Sequence, residues 1–329
     1  MMDTEASNKT AAKRVLLLGA SGTIGAATAT ALSAAGHKVS CFVRPGSDQM
    51  FPDGVEVRFG QATDGASLRE IGFGDSCFDT VVSCLASRSG VPTDAWAVDH
   101  DANMSALRLG QERGVDHMIL LSAICVQKPM LAFQHAKRAF EDALSASGIG
   151  FSIIRPTAFF KSLSGQVERV RSGKPYLLFG DGRLTACRPI SDRDLAVFIA
   201  RAVTDPAMRD RVLPIGGPGP AITPLDQGSY LFARLGQTPR FRRVPVRMLD
   251  VISGGLSLGG QIVPRLREKA ELARIGRYYA TESMLHWDEA TGQYDADATP
   301  AFGQDRLFDY YDALLDGRAT DDRGAHAVF

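Results

Sequence analysis

The chain is 329 residues long, with 45% hydrophobic and 22% charged residues and a formal net charge of zero. This is the balance of an ordinary folded protein, longer than a usual single domain, and the lack of a cationic excess argues against nucleic acid as the main partner, since phosphate binding needs one. Cys41, Cys77, Cys84, Cys125 and Cys187 lie far apart with no C-x-x-C pair, and the six histidines show no metal-ligand spacing, so we expect reduced thiols in a cytosolic setting and no metal or disulfide framework.

Residues 1–12 carry Asp3 and Glu5 and no apolar core, and read as a disordered tail, not a signal peptide. No apolar run approaches membrane-span length, so a soluble protein is expected. Lys13 to Arg44 then forms a strand, a glycine turn, a helix and a second strand. Val15 to Leu18 is wholly apolar, as in a parallel strand buried on both faces. Gly19, Gly22 and Gly25 lead into the alanine-rich run Ala26 to Ala35, with Ser21, Thr23 and Ile24 between them. Such a turn lets backbone approach a pyrophosphate and aims the helix N-terminus at it. The spacing G-x-x-G-x-x-G is the form used by short-chain dehydrogenase-like proteins. The second strand, Val39 to Val43, ends in Arg44, where an acidic residue would select NAD; a guanidinium can grip a 2′-phosphate, which points to NADPH.

Val55 to Phe59 reads as a third strand and Gln61 to Leu68 as a short helix, with Asp64 placed to pass near an adenine. Thr80 to Cys84 is a fourth strand, followed by Leu85, Ala86 and Ser87, which would flank the adenine ribose. Asp99 to Gly114 is an amphipathic helix, and Met118 to Leu121 a fifth strand ending at Ser122. Short-chain dehydrogenases place a serine here, then a tyrosine and, four residues later, a lysine that holds the nicotinamide ribose and lowers the phenol pKa. In this chain the serine is Ser122 and the lysine is Lys137, but the tyrosine position is Phe133. A phenyl ring transfers no proton, so either catalysis is lost and the fold senses the cofactor, or hydride transfer does not need that phenol. His135, within a turn of both, is the one histidine to test for proton transfer, with a surface role as the alternative reading.

Phe151 to Arg155 is a sixth strand, and Pro156, Thr157, Ala158 and Phe159 follow it, placed to present backbone groups to the nicotinamide. Val167 to Gly182 reads as a hairpin or loop pair over the site, Asp192 to Val203 as a helix and Leu213 to Gly216 as a last strand, before the turn-rich Gly216 to Pro220. The expected class is α/β, a Rossmann-type doubly wound parallel sheet with a smaller mixed C-terminal substrate-binding region. A cofactor domain would span 13–156 with return elements around 190–217, and a cap 157–189 and 218–329. In the cap, Arg240, Arg242, Arg243 and Arg247 precede the apolar, glycine-rich Ile252 to Val263. That pairing would hold an apolar carboxylate-bearing ligand, touch a membrane surface, or simply set a solvated face beside a buried segment.

Several long stretches carry a more specific resemblance. L-S-A-I-C-V-Q-K-P (Leu121 to Pro129), F-Q-H-A-K-R-A-F-E (Phe133 to Glu141), R-P-T-A-F-F-K-S-L (Arg155 to Leu163), G-K-P-Y-L-L-F-G-D-G with A-C-R-P-I-S (Gly173 to Ser191) and R-I-G-R-Y-Y-A-T-E-S-M-L (Arg274 to Leu285) resemble the NADPH-dependent divinyl chlorophyllide 8-vinyl reductases, an atypical branch of the short-chain dehydrogenases. The resemblance runs from about Lys13 to about Leu315. It implies reduction of the 8-vinyl group of a chlorophyllide or protochlorophyllide to ethyl, with a tetrapyrrole as partner. Hydride added to the terminal vinyl carbon leaves charge that delocalises into the macrocycle, so no oxyanion needs a phenol. Lys137 would orient the ribose, and the proton would come from water or Lys137. Phe133, Phe159, Phe160, Tyr176, Phe179, Tyr278 and Tyr279 are candidate walls of a macrocycle slot. The short tail suggests a bacterial, cytoplasmic enzyme near photosynthetic membranes. Competing readings are a non-catalytic NADP(H)-sensing regulator or assembly factor, and a reductase of another conjugated double bond. The sequence is silent on oligomeric state.

Overall fold

The computed structural model describes residues 11–259 and 264–320. The tail expected at 1–12 lies almost wholly outside them. Nine strands concern the site: β1 (Arg14–Leu18), β2 (Lys38–Val43), β3 (Glu56–Phe59), β4 (Thr80–Ser83), β5 (His117–Leu121), β6 (Gly150–Pro156), β7 (Tyr176–Phe179), β8 (Arg211–Ile215) and β9 (Phe241–Val244). Seven form one sheet in the order β3-β2-β1-β4-β5-β6-β8, and every pairing in it is parallel. The order reverses between β1 and β4, the point at which doubly wound sheets form a ligand crevice at the carboxyl ends of the strands.

The apolar runs are continuous because successive side chains serve opposite layers. Val15 and Leu17 pack with Ala29 and Leu32 of the Thr23–Ala34 helix and Leu195 and Ile199 of the Asp192–Ala202 helix. Leu16 and Leu18 pack on the other face with Ala106 and Leu109 of the Asn103–Glu112 helix and Phe140 and Leu144 of the Ala132–Ser145 helix. Each of these buried leucines removes enough apolar surface to stabilise the fold by about 2 kcal/mol.

The C-terminal region departs from expectation in one respect. Val167 to Gly182 does not close as a hairpin: Val167–Arg171 is helical, and β7 pairs in parallel with β9, with Tyr176 opposite Phe241. A partner so distant in sequence leaves no turn signal. The ribbon packs on the Pro224–Arg234 helix in a third core, with Phe160, Leu231, Phe232, Leu307 and Tyr311. Tyr176, taken from sequence as a slot wall, is a core side chain here, 3% exposed, its ring edge-on to Phe241. Helices Val246–Gly259 and Pro264–Thr281 follow; of the apolar run 252–263, residues 260–263 lie outside the described residues.

Candidate active site

The glycine turn is shaped by what a side chain would strike. Gly19 has φ +75°, and a Cβ there would stand 2.6 Å from the Cys84 carbonyl oxygen, just past β4. At Gly25 a Cβ would fall 2.2 Å from the Gly19 oxygen, so this glycine lets the helix start lie on the turn. A Cβ at Gly22 would meet only the Gly19 oxygen, at an ordinary 3.5 Å. Gly22 and Thr23 are exposed at the helix N-terminus, whose free N–H groups face the crevice, with Ser21 and Ile24 half-buried beside them. Lys161 reaches back across the chain to donate from Nζ to Thr23 Oγ1 at 3.1 Å. Nearby, the Asp192 carboxyl is held above its ordinary pKa by burial, opposed by the Lys161 charge, and its Oδ1 is buried without a partner.

At the end of β2, Arg44 is exposed, and burial together with the like charge of Arg88 lowers its pKa. An anion near both guanidiniums would relieve that repulsion. Arg88 was not singled out from the sequence; its position four residues beyond Cys84, in the loop after β4, two strands from β2, was the available signal. Asp64 is exposed and caps the next helix, accepting from Ala66 N at 3.0 Å. Leu85 and Ser87 are half-buried and Ala86 exposed along the loop after β4.

Lys137 is the centre of the site. Its ammonium lies 2.9 Å from Asp99 Oδ1, and the side chains are 9% and 0% exposed. Asp99 stands on the π-helical stretch Trp96–Ala102, a geometry that redirects side chains and recurs at functional sites. Ser87 N also donates to Asp99 Oδ1, at 3.3 Å, while Oδ2 is buried with no partner. Ser122, 5% exposed at the end of β5, likewise has an unpartnered Oγ. Sequence reasoning missed Asp99, reading it as an ordinary helix start; nothing in the sequence separates it from the exposed Asp101 two residues on. His135 requires a correction. It is exposed, whereas Lys137 is buried, because two residues along a helix turn the side chain through about 200°; it is removed from the proton path.

Beyond Lys137 the site is apolar. Phe133, Leu131, Cys125, Ala158, Leu163, Ile275 and Tyr278 form one cluster between the sheet and the Pro264–Thr281 helix. Tyr278 is 3% exposed, its hydroxyl 3.4 Å from the Cys125 carbonyl oxygen, and burial raises its pKa so that it stays a phenol. Tyr279 is 38% exposed at the rim, its ring edge-on to that of Tyr278. Phe160 sits with Tyr176 in the third core and Phe179 on β7, so the expected aromatic walls divide between two clusters. Pro156, the last residue of β6, and Thr157 after it are buried, Ala158 and Phe159 half-buried, and the Thr157 hydroxyl donates to the Arg188 carbonyl. Arg155, by contrast, is structural: its guanidinium pairs with buried Glu141 and ties β6 to the Ala132–Ser145 helix.

Sheet order, glycine turn and lysine together define a Rossmann-type protein that binds a nicotinamide dinucleotide, and residues 19–206 match the family model described as NAD(P)H-binding. The chain is 45% identical over 334 residues to the chloroplastic divinyl chlorophyllide a 8-vinyl-reductase of Cucumis sativus, covering 96% of this chain and 79% of the relative. It is 48% identical over 282 residues to that of Arabidopsis thaliana, covering 82% and 67%. The chain belongs to the divinyl chlorophyllide a 8-vinyl-reductase family. Among solved structures, the NADPH-dependent quinone oxidoreductase of Escherichia coli complexed with NADPH shares the fold, with TM-score 0.65, 15% identity, and coverage of 92% of this chain and 99% of that one. The relatives overturn one expectation: they are named as chloroplastic, and a bacterial cytoplasmic enzyme finds no support among them.

Proposed function

We propose that this protein reduces the 8-vinyl group of a divinyl chlorophyllide to ethyl at the expense of NADPH. The observation that carries this reading is the Lys137–Asp99 pair beside Phe133: the ribose-holding half of a short-chain dehydrogenase site is kept and buttressed, while the phenol that serves carbonyl chemistry is absent. The dinucleotide fits the residues present, since Gly19 and Gly25 leave the cradle that a Cβ would fill and the orphaned Asp99 Oδ2 and Ser122 Oγ await partners. When bound, it supplies the hydride for the terminal vinyl carbon.

The chain's own groups divide the remaining work. The N-terminal amides of the Thr23–Ala34 helix and the Lys161 ammonium take the diphosphate, which needs paired positive groups near it. Arg44 and Arg88 take the 2′-phosphate and so set the preference for NADPH. Lys137 orients the nicotinamide ribose, and Asp99 holds the ammonium in place. The apolar cluster of Phe133, Ile275 and Tyr278 excludes water from one face of the macrocycle, with Tyr279 at the rim. A proton reaches the carbon next to the ring from Lys137 or from water held by Ser122 Oγ.

The test mixes the purified protein with NADPH and divinyl chlorophyllide a and follows the pigment by chromatography and mass spectrometry. A product heavier by two hydrogens, formed far faster with NADPH than with NADH, is expected. Tight NADPH binding with an unchanged pigment would overturn the reading in favour of a cofactor sensor.

A further inference from the structure

We infer that the β7–β9 ribbon, with the loop after β7 and the first turns of the Val246–Gly259 helix, is a docking surface for an anionic lipid bilayer. Pairing of these strands brings together two runs far apart in sequence, 168–184 and 240–251. Together they carry eight lysines and arginines against three carboxylates, an excess of five in a chain whose formal net charge is zero. Two of those carboxylates are already engaged, Glu168 by Arg171 and Asp250 by Arg277. Arg242, Arg243 and Arg247 are exposed and, among the described residues, have no ion-pair partner.

Cations alone would describe an ordinary edge strand guarded against unwanted pairing. Here apolar side chains stand out among them: Leu184 is 49% exposed, Met248 47% and Val251 75%. Leu184 lies over Gly180, where a Cβ would come within 2.5 Å of its Cδ1. Gly180 N donates to the Val244 oxygen at 3.1 Å, which holds Leu184 at the end of β9, where the helix begins. At the ribbon's other end Arg240 bonds to the Gly173 carbonyl. The ribbon thus carries the exposed Arg242 and Arg243, and the exposed aliphatic groups gather beyond its end, in the loop after β7 and on the first turns of the helix that carries Arg247.

That combination matches the boundary of a bilayer. Guanidiniums meet anionic headgroups while Leu184, Met248 and Val251 enter the acyl margin. A water-soluble anionic partner would leave the apolar side chains unused, and a neutral bilayer would leave the charge excess unused. The contact is peripheral, because among the described residues no helix is long and apolar enough to cross a membrane. This surface is separate from Lys137 and the glycine turn, so the inference does not depend on the proposed reaction.

Flotation of the full-length protein with vesicles tests it, comparing phosphatidylcholine alone with phosphatidylcholine containing phosphatidylglycerol. Flotation with the anionic vesicles only, lost in high salt, is expected. Each of Arg242→Ser, Arg243→Ser and Arg247→Ser should weaken binding about fivefold, and Val251→Ser should weaken it at unchanged charge. Circular dichroism and NADPH binding, followed by nicotinamide fluorescence, certify that the variants are folded. Equal flotation with both vesicles, no flotation with either, or full flotation of a folded variant that combines the three arginine-to-serine substitutions would overturn the assignment.

Discussion

Lys137 and Asp99 are held 2.9 Å apart inside the protein by different helical segments, one following β5 and the other following β4. A buried ion pair contributes little against an apolar replacement, yet removing one partner strands a charge. Asp99→Ala should therefore destabilise the fold by about 3–5 kcal/mol in urea unfolding. The double variant Lys137→Met with Asp99→Leu should recover most of that loss while pigment reduction stays absent. Recovery of activity along with stability would refute the role given to the ammonium.

The two arginines at the strand ends give a cofactor prediction. Charge-assisted hydrogen bonds contribute about 1.5–3 kcal/mol each, so Arg44→Ser and Arg88→Ser should each raise KM for NADPH about tenfold to a hundredfold. KM for NADH should change little. Parallel changes for both cofactors would place the arginines away from the 2′-phosphate.

The glycine turn predicts a contrast between two identical substitutions. Gly25→Ala drives a Cβ to 2.2 Å from the Gly19 oxygen and should abolish cofactor binding, whereas Gly22→Ala meets only a 3.5 Å contact and should bind normally. Isothermal titration with NADPH distinguishes them.

Restoring the missing phenol should achieve nothing. General acid catalysis typically contributes about 10²- to 10⁴-fold where a reaction needs it, so Phe133→Tyr would accelerate turnover by that order if proton delivery from this position were limiting. We expect turnover within a few-fold of the parent instead, measured on the pigment.

Stability should fall in mild acid through His117. Ser152 Oγ donates its proton to the Met208 carbonyl at 2.7 Å and so accepts from His117 Nε2 at 3.0 Å. Burial lowers the imidazole pKa to about 4, with the Arg209 charge adding to the effect. The unfolded chain then binds the extra proton first, so stability is present above the unfolded pKa of about 6.5 and declines as pH falls toward about 4. The loss by pH 4.5 should be about 2.5 kcal/mol, and His117→Gln should flatten that part of the pH profile of urea unfolding.

By itself the sequence determined the layered architecture and the cofactor loop, because both are written in local patterns. Buried parallel strands are short apolar runs, and a helix started by closely spaced glycines has few other uses. It also determined Lys137 and the loss of the phenol at Phe133, since a four-residue spacing on a helix fixes which groups share a face. Tertiary structure alone decided the partners of these groups. Asp99 meets Lys137 and β7 meets β9 across long stretches of chain, Arg88 comes within reach of the Arg44 charge, and no period in a sequence records such a meeting. The same limit explains His135 and Tyr176, which are near the motif in sequence or chemistry but which the turn of a helix and the packing of a core carry elsewhere.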